Sequence, residues 1–176
     1  MNKFDISKLE KSVREVPDFP KPGIKFKDIT PILINPKLLS MSIEALAYHV
    51  DSSSIDKIIG IDARGFIFGS LLANLLGKGF IPVRKEGKLP WQTESQAYDL
   101  EYGKSVIEIH KDAIDPGERI LIVDDLLATG GTAEAAVKLV EKLSGTVDSL
   151  IFFIELESLN GRELLKNTKV KSVLKY

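Results

Sequence analysis

The chain has 176 residues, 44 % hydrophobic and 28 % charged, with a net charge of -1. These values suit one globular domain with a real core and offer no basic face for nonspecific nucleic-acid or membrane binding. There is no cysteine, which excludes disulfides, a thiolate nucleophile and any Cys-based metal site. The two histidines, His49 and His110, lie far apart and form no metal-ligand pattern. The N-terminal residues lack a basic start followed by an apolar core, and no apolar run approaches a membrane span. A soluble, cytoplasmic protein is expected.

In chain order, Ile6, Leu9, Val13 and Val16 mark a short amphipathic helix, with Ser7-x-x-Glu10 as its capping box. Prolines at 17, 20, 22 and 31 then punctuate an extended segment around Gly23 to Thr30. Asn35-Pro36 reads as an N-cap with proline at the first helical position, opening a helix that runs to about His49. Lys57 to Ile61 is a short apolar strand, Asp62-Ala63-Arg64-Gly65 a loop and Phe66 to Leu76 a helix, ended by Gly77 and Gly79. Phe80 to Lys85 is another strand. From Glu86 to Gly103 the apolar pattern lapses, and a connection this long is expected to be functional or mobile. Lys104 to Lys111 alternates as a half-exposed strand does. Asp115-Pro116-Gly117 turns the chain.

The densest signal follows. Ile120-Leu121-Ile122-Val123 runs straight into Asp124-Asp125, then Leu126-Leu127-Ala128-Thr129-Gly130-Gly131-Thr132. The apolar run predicts a strand buried on both faces of a parallel sheet. Ala133, Ala136, Val137, Val140 and Leu143 recur at helical spacing, so the small-residue loop opens a helix. Such a loop offers backbone N–H groups and a positive dipole end to a phosphate. The acids cannot hold that phosphate, but they can accept hydrogen bonds from ligand hydroxyls or order a cation's waters. A ligand with both features is a phosphorylated sugar. Gly145 stops the helix, and Ser149 to Leu156 and Val170 to Leu174 give two more strands. Strands alternating with helices predict an α/β domain, 1–176, with a mainly parallel sheet. Ligands of such sheets bind beyond the carboxyl ends of the strands. The loops 62–65, 86–103 and 124–132 all follow strands and should converge there.

The segment 120–132 resembles the motif that binds 5-phosphoribosyl 1-pyrophosphate (PRPP) in type I phosphoribosyltransferases. Pro17-Asp18-Phe19-Pro20-x-Pro22-Gly23-Ile24-x-Phe26-x-Asp28-Ile29-Thr30-Pro31 resembles the N-terminal segment of the adenine phosphoribosyltransferases. The likeness continues in Asp62-x-Arg64-Gly65-Phe66, Arg84-Lys85-x-Gly87-Lys88-Leu89-Pro90 and Leu100-Glu101-Tyr102-Gly103.

The resemblance implies a type I phosphoribosyltransferase-like fold, a twisted sheet flanked by helices with a small N-terminal hood, residues 1–34, over the base site. It implies transfer of the phosphoribosyl group from PRPP to N9 of adenine, giving AMP and pyrophosphate. Asp124 and Asp125 would meet the ribose, and Ala128, Thr129, Gly130, Gly131 and Thr132 the 5′-phosphate. Asp62, Ala63, Arg64, Arg84, Lys85 and Lys88 would meet pyrophosphate. Ala63 stands where many relatives carry serine, so backbone contacts should carry that loop. Arg64 could equally bridge to a subunit neighbour. Ile24, Lys25, Phe26, Lys27 and Leu126 would surround adenine, with Phe26 and Leu126 as apolar walls. Glu101 would handle a proton on the purine. Residues 86–103 would form a lid, with Tyr98 and Tyr102 either closing it through their hydroxyls or serving as packing aromatics, and Trp91 either anchoring it or covering a patch. Mg²⁺ would be held mainly by PRPP rather than by direct protein ligands. The resemblance also implies a homodimer. A different purine substrate is opposed by the 17–31 block, and a PRPP-sensing regulator by the lack of room for a DNA-binding domain.

Overall fold

The apolar runs become the parallel centre of a large sheet in the computed structural model, which describes residues 5–100 and 103–176. Its strands are β3 (Lys57–Ile61), β4 (Gly79–Lys85), β5 (Thr93–Leu100), β6 (Gly103–His110), β7 (Arg119–Leu127), β8 (Thr146–Glu155) and β9 (Val170–Lys175). They lie in the order β5-β6-β4-β3-β7-β8-β9. The five from β4 to β9 run parallel, while β6 is antiparallel to β4 and β5 antiparallel to β6. A separate two-stranded ladder, β1 (Arg14–Pro17) with β2 (Lys25–Asp28), forms the hood.

Helices cover both faces. On one side lie α1 (Ile6–Ser12), α2 (Thr30–Leu33), α3 (Pro36–Tyr48) and α4 (Gly65–Leu76); on the other lies α5 (Gly131–Lys142). Strand alternation divides the core accordingly. Leu121 and Val123 of β7, with Ile151 and Phe153 of β8, pack with Leu46, Phe68 and Leu72. Ile120 and Ile122, with Leu150 and Phe152, pack with Ala136, Leu139 and Val140. A strand with helices above and below reads as a continuous apolar run for this reason.

Several expectations hold at the residue level. The Asn35 side chain accepts from Lys37 and Leu38 N–H at the head of α3, and Gly77 ends α4 in the left-handed conformation. Others need correction. The first helix stops at Ser12 and is capped by Asp5, whose side chain accepts from Lys8 N–H, not by Ser7. Val16 belongs to β1, paired with Phe26. Its apolar spacing fits a helix, but the ladder wins through cross-strand pairs, Arg14 with Asp28 and Lys27 with Glu15. A helical turn, α2, begins at Thr30, just at the end of the expected extended segment, where no helix was expected.

The connection 86–103 is not an open loop: Thr93 to Leu100 form β5, paired with β6 along its length. It escapes an apolar pattern because it is the edge strand, reached from α5 by Lys142, which bonds to the Ser95 carbonyl at 2.6 Å and lies 3.3 Å from Glu94. The acidic pair also differs from expectation. Both acids lie inside β7, which continues to Leu127 beside Glu155.

The stacked pair Phe68 and Phe153, ring centroids 5.0 Å apart and both fully buried, joins α4 to β8. Phe153→Ala should lower unfolding free energy by about 3–5 kcal/mol, the usual cost of emptying such a site. Urea unfolding of the two proteins measures it.

Candidate active site

Three chain segments reach the carboxyl end of the sheet around β7. The first is β7 itself with the loop that follows. Gly130 adopts φ 89° and contributes no capping side chain to α5, so the helix begins on bare backbone. Asp124, Leu126, the residues from Leu127 to Ala133 and Phe152 line a small pocket of about 80 Å³. First-turn N–H groups and the helix dipole give that pocket an affinity for anions.

The second segment is the turn from β3 into α4. The peptide between Asp62 and Ala63 is cis. The Asp62 N–H donates to the Val83 carbonyl at 2.9 Å. Gly65 lies so near β7 that a Cβ there would come within 2.7 Å of Asp124 Oδ1 and 3.0 Å of the Val123 carbonyl oxygen. That approach brings Arg64 to the acids: its Nε lies 2.9 Å from Asp125 Oδ2. Arg64 was expected as a planar fork on pyrophosphate, or as a bridge to another subunit. Within this chain it pairs with Asp125. Buried Asp125 attracts the nearest cation, and only Arg64 projects from the turn beside it.

The third segment is the hood. Phe26 meets Phe19 edge to face at 5.2 Å, and the Arg64 guanidinium lies 5.2 Å from the Phe26 ring centre. One arginine thus links the proposed base wall to the acidic pair. Lys27 Nζ pairs with Glu15 at 2.8 Å and sits 3.9 Å from the centre of the Tyr176 ring, while Lys25 lies 3.4 Å from Glu15. Both lysine side chains are therefore engaged on the hood, and Ile24 is exposed. In its two-stranded sheet β2 has one neighbour, β1, so its other edge offers backbone donors and acceptors.

Of the basic residues after β4, Arg84 spans two loops: its Nε lies 3.0 Å from Asp62 Oδ2, and its Nη1 donates to the Lys88 carbonyl at 3.0 Å. Lys85 and Lys88 are exposed. Leu126 is half-buried against the α4-side core. Tyr98 and Asp99 of β5 lie over the start of α5, since a Cβ on Gly131 would be 3.4 Å from the Tyr98 ring and 3.3 Å from the Asp99 carbonyl oxygen. The expected proton-handling Glu101 and its neighbour Tyr102 lie outside the described residues. The sequence reading also passed over Gly161, whose backbone packs directly under Ala128 and Gly130. An Asn-Gly pair just after a strand was the available signal.

The acids are electrically unequal. Burial, then the neighbouring Asp125 charge, pushes the Asp124 carboxyl well above its ordinary value. Burial also raises Asp125, but Arg64 pulls it back. A carboxyl whose folded value is raised stabilises the fold while protonated. That contribution is full below the unfolded value, 3.8, and is lost as pH rises through the folded value. Asp124→Asn keeps the shape without the charge. It should therefore melt above the parent at pH 7 to 8, with the gain vanishing below about pH 4. Calorimetric melting across pH measures this, and a variant that melts lower throughout would contradict it.

Comparison with known proteins places this geometry. A family model for the phosphoribosyl transferase domain matches residues 29–175. An adenine phosphoribosyltransferase of Acetivibrio thermocellus is 52 % identical over 169 residues, 96 % of this chain and 99 % of that protein. The crystal structure of adenine phosphoribosyltransferase from Thermoanaerobacter pseudethanolicus has a TM-score of 0.95 at 53 % identity, covering 97 % of this chain and 99 % of that one. The Saccharomyces cerevisiae enzyme, complexed with D-2,5-dideoxy-2,5-imino-altritol 1,6-bisphosphate and adenine, has a TM-score of 0.92 at 42 % identity, covering 96 % and 97 %. With a sheet, a small-residue loop and an acidic pair arranged as above, the chain belongs to the phosphoribosyltransferase family, among its adenine phosphoribosyltransferases.

Proposed function

We propose that this chain transfers the 5-phosphoribosyl group from PRPP to N9 of adenine, giving AMP and pyrophosphate in purine salvage. The observation that carries the reading is the meeting of three segments at one sheet end, with Arg64 touching both Asp125 and Phe26. The loop 128–132 receives the 5′-phosphate on backbone N–H groups. Asp124 and Asp125 accept hydrogen bonds from the ribose hydroxyls, and their charge favours the cationic sugar that develops as the C–N bond exchanges. Arg64 keeps Asp125 ionised and oriented. The 62–65 backbone faces pyrophosphate, with Arg84, Lys85 and Lys88 supplying positive charge around it. Phe26 and Leu126 enclose the base, and backbone of the Ile24 to Lys27 segment reads its 6-amino group and N1.

Among the described residues no three His, Cys, Asp or Glu side chains gather into a metal cage. Mg²⁺ takes oxygen ligands and commonly keeps waters and substrate phosphates. The paired oxygens of Asp124 and Asp125 suit such an ion through the ribose or through water. Bound on PRPP, it would neutralise the departing pyrophosphate. The closing element of the 86–103 lid is the end of β5, which carries Tyr98 and Asp99 over α5, together with the Glu86–Gln92 turn. Excluding water there protects the cationic sugar.

We read the molecule as a cytoplasmic homodimer. Among the described residues no helix is long and apolar enough to cross a membrane. Exposed Leu71 and Leu75 line a groove of about 360 Å³ between α3 and α4. A second copy would cover this apolar patch. Sedimentation of the protein, with Leu75→Glu as the variant expected to run as a monomer, tests the assembly.

The function is tested by AMP formation from PRPP with adenine against hypoxanthine, guanine and xanthine. Hypoxanthine reverses the donor and acceptor that β2 would meet, so adenine should lead in kcat/KM by about 10⁴. Equal use of the four bases would overturn the reading. Lys25→Ala and Lys27→Ala should keep that ratio, because backbone reads the base, whereas Phe26→Ala should weaken base binding.

Glu101→Gln should cost about 10²- to 10⁴-fold in single-turnover rate, the range for a general acid–base group. PRPP affinity should be little altered. Retained rate with lost PRPP affinity would make Glu101 a binding residue instead.

A further inference from the structure

After β8 the chain makes two short 3₁₀ turns, Glu157–Leu159 and Gly161–Leu165. The second lies directly against the 128–130 loop, through Gly161. Gly161 is buried, and a Cβ on it would collide with the Ala128 carbonyl oxygen and stand 3.0 Å from a Leu127 methyl. From the other side, a Cβ on Gly130 would collide with the Gly161 carbonyl oxygen. The two backbones are in direct van der Waals contact, so the position of one fixes the position of the other. Gly161 has no left-handed φ to require glycine. Only the close approach demands it.

The neighbouring residue anchors this contact. Arg162 forms a two-pronged pair with Glu155, Nε to Oε1 at 2.5 Å and Nη2 to Oε2 at 2.7 Å, and its Nη1 donates to the Val170 carbonyl at 2.9 Å. Ser172 Oγ donates to Glu155 Oε2 at 2.5 Å. Glu155 is only 4 % exposed, and Arg162 holds its carboxyl below the usual range. One guanidinium therefore ties the 161–165 turn to the ends of β8 and β9. Leu165, buried in the α5-side core, fixes its far end.

We infer that the Glu155–Arg162 fork and Gly161 form a brace that sets the height of the Ala128–Gly130 loop, making Gly161 and Arg162 positioning residues for the 5′-phosphate. This rests on the reading of that loop as the phosphate site. A preorganised anion site loses affinity when its N–H groups are displaced by even an ångström. The hydrogen bonds and close approaches of the brace given above involve β8, β9 and the 127–130 loop rather than the Asp62–Gly65 loop or the hood, so its effect should be confined to the phosphate end of the substrate.

The test uses calorimetric titration of the intact protein with ribose 5-phosphate and, separately, with pyrophosphate and Mg²⁺, for the parent, Gly161→Ala and Arg162→Lys. Melting curves check that each variant is folded. Gly161→Ala should weaken ribose 5-phosphate by about 10²-fold and raise the KM for PRPP similarly, with the KM for adenine unchanged. Arg162→Lys keeps the charge but loses the fork, and should give a smaller loss of the same kind. Pyrophosphate affinity should stay at the parent's value in both. If both variants bind ribose 5-phosphate like the parent, the brace is overturned while the phosphate site stands. If pyrophosphate weakens equally, the effect is general loosening and the brace is likewise overturned. If the parent binds pyrophosphate but not ribose 5-phosphate, the reading of the loop itself fails. Should Gly161→Ala not fold, Arg162→Lys alone decides among these outcomes.

Discussion

The arrangement depends on how closely α4 approaches the sheet. At Gly60, Gly65 and Gly69 an added Cβ would meet the Phe80 ring, Asp124 or neighbouring backbone at about 3 Å or less. Three glycines on β3 and α4 therefore let the helix sink onto β3 and β7. Only then does the turn before α4 stand beside the end of β7, so that Arg64 reaches Asp125. The Phe80 ring fills the space that side chains at Gly60 and Gly69 would have taken, which makes the close approach a packed one. A methyl at any of these positions would push α4 outward. The first group moved would be the arginine that joins the hood to the acids.

The same logic recurs on the other face of β7. Gly130 and Gly161 let a following turn press against the phosphate loop. The strand that carries the chemistry is thus gripped from two sides by backbone rather than by side chains. Backbone contacts have little rotamer freedom, so they transmit position with less slack than a chain of long side chains does. A loop made of small residues cannot hold its own shape through packing. It takes that shape from what lies beneath it.

These features explain how far the sequence could be read. The buried strands were legible because a strand covered on both faces must be apolar throughout, as Ile120 to Val123 are. α3 was legible because Asn35-Pro36 marks a helix start by chemistry local to the chain. β1 and β5 were not. Val13 and Val16 satisfy helical spacing, and the ladder is decided by partners at Phe26 and Asp28, ten or more residues away from Val16 and Arg14. The strand β5 lies at an edge, where no face needs to be apolar along its length. Candidate site residues could be named from the sequence because their order is local to each loop. Their pairing could not: nothing between Arg64 and Asp125 in sequence announces that the arginine lies beside the acid. The Asn160-Gly161 pair marks a turn, but not what packs on it, since a glycine demanded by close approach carries no mark of what approaches it.

The acidic pair shows what this packing is for. Two adjacent carboxyl groups, Asp125 buried and Asp124 half-buried, stand against one guanidinium beside the pocket, one positive charge short, and burial raises both above their ordinary value. Folding alone gains nothing from this arrangement, since an uncompensated buried charge is destabilising. The Asp124 carboxylate takes a hydrogen bond from the Asp125 N–H at 2.8 Å, which holds its direction without neutralising it. A second arginine would remove the deficit and also the attraction for a cationic sugar. The chain instead spends one arginine on orienting Asp125 and leaves Asp124 facing the pocket. In the proposed reaction, positive charge developing at the anomeric carbon would meet this pair, so relief would come with the reaction rather than with folding.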